Sequence, residues 1–118
     1  MLQLETEGKA IMRPLLVKLG IPIEENKLLR DQGLQVAESF KGMSFKEQFE
    51  NIYQSVKNYY LPQYEELSTL VDEEDSEAYH IANFMGEHER SILLAADNIL
   101  KDKQDPVKPI RDLLQFPI

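Results

Sequence analysis

The residues able to do chemistry are few. The chain has no cysteine and only two histidines, His80 and His88, which fall in one stretch. Glu77-Ala78-Tyr79-His80 and Glu87-His88-Glu89 set carboxylates beside imidazoles, the groups that bind divalent cations or exchange protons. The three-residue spacing of Glu77 and His80 puts them on neighbouring positions of a helix, where one metal ion reaches both. Glu89 has a different claim. At about 100° per residue, Ala78, Ile81, Ala82, Met85, Ile92, Ala96, Ile99 and Leu100 form an apolar stripe, and Glu89 falls about 20° from its centre. A carboxylate there needs a cation, a donor or a metal, or it must stay protonated. A tyrosine hydroxyl, Gln63 or Arg13 would serve as its partner. On the same wheel His80 lies opposite the stripe and reads as solvated, whereas His88 sits at the edge of the buried arc, beside two carboxylates that favour its charged form.

A second group is aromatic. Tyr53, Tyr59, Tyr60 and Tyr64 cluster around Pro62, where they either line a groove for a ligand or partner helix or border the core, since tyrosine joins apolar area to a polar tip. The acidic run 72–75 lacks the spaced oxygens and central glycine of a calcium loop and reads as a helix start. Ser39, Ser44, Ser55, Ser68, Ser76 and Ser91 have no nucleophile-elbow context, and no glycine-rich phosphate loop is present.

These side chains must be held by helices. Apolar positions recur near every 3.6 residues, and no alternating strand pattern survives, so the chain is expected to be all-α: a bundle of four to five helices with a long central antiparallel hairpin, in a single domain over 1–118. The first helix, 2–19, buries Leu4, Ile11, Met12, Leu15 and Leu19, with a break at Pro14 and a stop at Gly20. The second, 23–41, starts with Pro22 in its first turn and buries Leu29, Val36, Ala37 and Phe40, although Gly33 weakens it. Ser44-Phe45-Lys46-Glu47 has capping-box spacing and opens a third helix, 44–71, bent near Pro62. Its broad apolar face carries Phe45, Phe49, Ile52, Val56, Tyr59, Tyr60, Leu67 and Leu70. The fourth helix, 74–101, follows the acidic run. Asp105-Pro106 caps a short last helix, 106–115, and Pro117 closes the chain.

The pair Tyr64-Glu65-Glu66-Leu67 … Asp72-Glu73-Glu74-Asp75 … Glu87-His88-Glu89-Arg90-Ser91-Ile92, with Ala95-Ala96-Asp97-Asn98-Ile99-Leu100 behind it, resembles a helix pair of ferritin-like bundle proteins over the C-terminal half. The resemblance implies a helical bundle and a carboxylate-bridged di-iron centre, with Glu66, Glu77, His80, His88 and Glu89 as metal-ligand positions. Such a centre draws on two Glu-x-x-His units and two further glutamates. This chain has one such unit, so the resemblance implies a site completed across a homodimer, with iron or another divalent metal as cofactor.

The net charge of −8 sets the chain against phosphate backbones and anionic membranes, because its basic residues are scattered and no basic patch is segregated. The longest apolar run, Ile92 to Ala96, is far short of the roughly 20 residues that span a bilayer. With no cysteine and no signal-peptide pattern at Met1–Glu7, a cytoplasmic location is expected. The expected function is an interaction, structural or regulatory module without catalysis or cofactor, acting through a homodimer or a protein partner. The metal-binding bundle is the alternative.

Overall fold

A computed structural model describes residues 1–116, so Pro117, expected to close the chain, lies outside the described residues. The described chain is helical with no strand, as the 3.6-residue periodicity requires. Helix α1 runs Leu2–Lys18, α2 Lys27–Phe40, α3 Phe45–Ser55, α4 Leu61–Leu70, α5 Ser76–Leu100 and α6 Lys108–Leu113; a π-helical turn, Val56–Tyr60, joins α3 to α4.

Local chemistry sets most of these boundaries. Ser44 accepts from the Glu47 N–H at 3.2 Å while its own N–H donates to the Glu47 carboxylate at 2.9 Å, so the expected capping box opens α3. The Asp75 carboxylate caps α5 by accepting from the Ala78 N–H. α1 ends where Gly20 adopts φ +70°, with Gly20 N–H bonded to Val17 O and Ile21 N–H to Leu16 O. That paired pattern needs a left-handed residue, which glycine supplies without steric cost.

Pro14 acts differently from expectation. α1 is continuous through Pro14, which faces solvent beside exposed Ala10, so the carbonyl left without its helical donor meets water instead of breaking the helix. Pro62 is accommodated one turn upstream. The Leu61 N–H bonds to Val56 O, five residues back, and the helical backbone continues from α3 into α4. Widening the turn ahead of a proline relieves the clash of its ring with the preceding carbonyls.

Two further expectations are corrected. The second helix begins at Lys27, not 23, because Asn26 caps it by accepting from the Leu29 N–H at 3.1 Å; Pro22 lies in the preceding loop. The last helix covers only Lys108–Leu113, because Asp105 sits at φ 48° with its carboxylate held by Arg111 and so does not act as its cap.

α5 organises the packing. α1, α3, the π turn, α4 and α6 all lie against it. Leu4, Val56, Ile92, Ala95 and Ile110 form the central cluster, and Ile52, Leu61, Leu93, Leu113 and Leu114 surround it. Being enclosed by several neighbours, α5 buries more than its expected stripe: Phe84, Gly86, His88 and Ser91 are buried as well.

α2 is the exception. It buries no residue, and it packs substantially against no other element. Leu29 is 62 % and Val36 56 % exposed, Ala37 is exposed and only Phe40 is partly covered, so its expected buried face is open. Leu19, also assigned to the core, is 56 % exposed beyond the end of α1.

Candidate functional site

The buried polar groups of α5 meet α1 and the π turn along one seam. α1 packs on His88 at Gly8, where a Cβ would stand in ordinary contact, 3.4 Å from Cδ2 and Nε2 of the imidazole. His88 is 2 % exposed and fully inside, not at the margin its wheel position gave. Its Nε2 lies 3.6 Å from Oε1 of Glu5 and its Nδ1 3.5 Å from Oε1 of Glu89. Among the described residues, neither ring nitrogen has a hydrogen-bond partner. Both gaps exceed a hydrogen bond by about 0.5 Å, so a small closure would let a doubly protonated imidazole donate to both carboxylates. Glu89 is buried, as its place in the stripe required, and its neighbour is His88 from its own helix. Arg13 is exposed on α1 and Gln63 on α4. Tyr64 lies near enough for its phenol to feel Glu89: burial first, then the charges of Glu89 and Glu5, push its pKa above the ordinary tyrosine value.

Above this seam runs a groove of about 370 Å³. Val36 and Phe40 of α2 form one wall, Ile52, Val56 and Tyr60 the other, and Glu5, Tyr64, Glu89 and Ile92 lie along its floor with Met1 at one end. Of the four tyrosines, the structure brings Tyr60 and Tyr64 to the groove. Tyr59 is exposed, its ring edge-on to Tyr60 at 5.0 Å, and Tyr53 carries Lys57 Nζ 5.6 Å from its ring centre. The groove lining contains two carboxylates and no cationic side chain.

The metal-ligand positions divide. His88 and Glu89 come together, joined by Glu5. Glu77 is exposed and paired with Lys18 at 2.9 Å, a contact that ties the end of α1 to the start of α5; the hydrogen bond and charge of Glu77 raise the Lys18 pKa. His80 and Glu66 are exposed. Among the described residues, no three His, Asp or Glu side chains converge in a way that would hold a metal ion.

Sequence reasoning passed over Glu5 and Glu7. Glu7 is 7 % exposed and accepts from the Gln115 N–H at 2.6 Å, the Phe116 N–H at 3.2 Å and Gln3 Nε2 at 3.1 Å, while Gln3 Nε2 also donates to Phe116 O. Burial acts to raise the Glu7 pKa, but these three donors outweigh it and hold the carboxyl below the ordinary glutamate value. The available signal was the helical face shared by Leu4, Glu7, Gly8 and Ile11, in which Glu7 interrupts an apolar stripe as Glu89 does.

No known protein family, curated protein or solved structure matches this chain. Among the described residues, no helix is long and apolar enough to cross a membrane.

Proposed function

We propose that this chain is an interaction module whose working surface is the apolar face of α2 together with the groove beside it, and that an apolar helical element docked there completes the helical bundle built on α5. The observation that carries this reading is that α2 is well capped and amphipathic yet buries nothing. Helices of this length draw most of their stability from packing an apolar face rather than from propensity. Large contiguous apolar patches on a protein surface mark interaction sites. The module has no catalytic role in this reading. Its test is the stability of Leu29→Glu in dilute solution. A free face predicts an unfolding free energy within about 0.5 kcal/mol of the parent. A loss of several kcal/mol at the same dilution would mean that Leu29 is packed on its own chain, and the reading would fail.

A second reading has one observation in its favour, the buried His88 with both nitrogens unpartnered between Glu5 and Glu89. In it these residues contribute to a divalent-metal site of the ferritin-like kind, completed by a second copy because one chain brings too few ligands together. Elemental analysis of protein purified without chelator separates the two. Iron, manganese or zinc at a stoichiometry that falls in His88→Ala supports the metal site, and no metal above background ends it.

A further inference from the structure

We propose that the element covering α2 is a second copy of this chain, the two α2 helices packing antiparallel about a two-fold axis that passes near Gly33. This rests on the reading of α2 as a docking face and names its occupant.

The exposed area is large enough for a second copy to cover. The chain exposes 8539 Å². A compact monomer of 13.7 kDa exposes about 6,600 Å² by the usual size scaling. Its radius of gyration is 15.5 Å, against about 13.5 Å for a compact domain of this length. The surplus, about 1,900 Å² on each copy, is ample for a specific, dissociable dimer, whose interface buries a total of about 1,200–2,000 Å² across both partners.

Gly33 marks where the second copy crosses. It lies inside α2, on the same side as Leu29, Val36 and Phe40, and a Cβ built there meets nothing within 4 Å. Nothing in the chain itself requires a glycine at this position, where it weakens the helix. A second helix backbone crossing there would require it, because a small residue permits close approach.

Charge favours the same face. At a net −8 two copies repel each other over most of their surface. On α2, however, Arg30 pairs with Glu25 and Glu38 with Lys41, and the helix's two acids, Asp31 and Glu38, project from the side opposite Leu29, Val36 and Phe40. The α2 face is therefore where copies meet with little repulsion. Antiparallel pairing also sets the two helix dipoles in opposition, and a two-fold makes a single face complementary to itself.

Sedimentation velocity from ~1 to ~200 µM tests the proposal. A dimer is expected, with Leu29→Glu and Gly33→Leu raising its dissociation constant at least tenfold and Leu94→Glu, an exposed position on α5, leaving it unchanged. The absence of native cysteine permits a second readout. Under mild oxidation Gly33→Cys should cross-link between copies and Asp31→Cys, on the far side of the helix, should not. A monomer at every concentration overturns the proposal, as does cross-linking equal at the two positions. If the chain is monomeric while Leu29→Glu is neutral in dilute solution, only the second copy is lost and the docking face remains. If Leu29→Glu unfolds the dilute chain, the docking face falls too.

Discussion

Leu4→Ala tests whether α1 is docked as described. Leu4 is the only large apolar side chain of α1 that is wholly buried, at 0 % exposure, and it joins Val56, Ile92, Ala95 and Ile110 in the central cluster. Leucine-to-alanine changes at buried sites cost about 2–5 kcal/mol, the spread reflecting how far neighbours collapse into the space. Here one wall of the site is Ile110 on the six-residue α6, which can move inward, so a value near 3 kcal/mol is expected. Unfolding entropies of about 2.1 cal/mol/K per residue give about 0.25 kcal/mol/K for a chain of this length, and the expected fall in Tm is then about 12 °C. Urea unfolding followed by far-UV circular dichroism, in dilute solution, should show the midpoint drop with an unchanged slope. A loss below about 1 kcal/mol would mean that α1 does not seal the core, and the description of the Glu5–His88–Glu89 seam would fall with it. Hydrogen exchange should quicken in α6, which rests on Leu4 through Ile110.

Glu7→Gln should loosen the end of the chain, measured as faster exchange of the Gln115 and Phe116 amides. Because the folded Glu7 pKa is depressed, its stabilisation is present above the unfolded value of 4.5 and is lost as pH falls through the folded value. The stability gap between the parent and Glu7→Gln should therefore narrow on acidification below that value, and a gap independent of pH would contradict the carboxylate's role. Gly86→Ala should stabilise α5 by up to about 1 kcal/mol. The added Cβ would stand 3.1 Å from an Arg90 guanidinium nitrogen, the far end of a flexible side chain whose exposed pairing with Glu65 is easily rearranged. Asp102→Gly should add about 0.5–1 kcal/mol, since Asp102 ends α5 at φ 51°, where an L side chain is strained. Thermal melts read both changes.

What the sequence made legible follows from the range of the interactions involved. The all-α character, the Ser44–Glu47 box, the Asp75 start of α5 and the Gly20 stop depend on neighbours within one or two turns, and all are present. Glu89 was readable because an acid inside a 25-residue apolar periodicity stands out. Its surroundings were not, since they depend on how α1 docks on α5, a tertiary contact that the periodicity of a single helix does not encode. The burial of His88 was missed for the same reason: a wheel treats a helix as having one wet side, and α5 is enclosed on several. The opposite error was made at α2, whose Leu29, Val36 and Phe40 repeat correctly for a core although no described element packs over them. Periodicity shows which face is apolar and does not show whose surface will meet it.

The π turn ahead of Pro62 bears on how this chain tolerates change in length. Such a turn holds one residue more than regular α-helix needs, so it retards everything after it by about 100°. Were the rod from α3 to α4 regular throughout, Gln63 would take the angular place that Tyr64 now fills beside Glu89, and the groove would lose its phenol. Deleting one residue from 57–59 removes the surplus and keeps Tyr64 in phase over the groove, but it returns the Pro62 ring to the carbonyls of a regular turn and so costs stability. An insertion at the same place has no slack left to use, and it would turn α4 away from α5. A loss at this turn should therefore keep α4 in register at the cost of the proline clash, whereas a gain should turn α4 out of register.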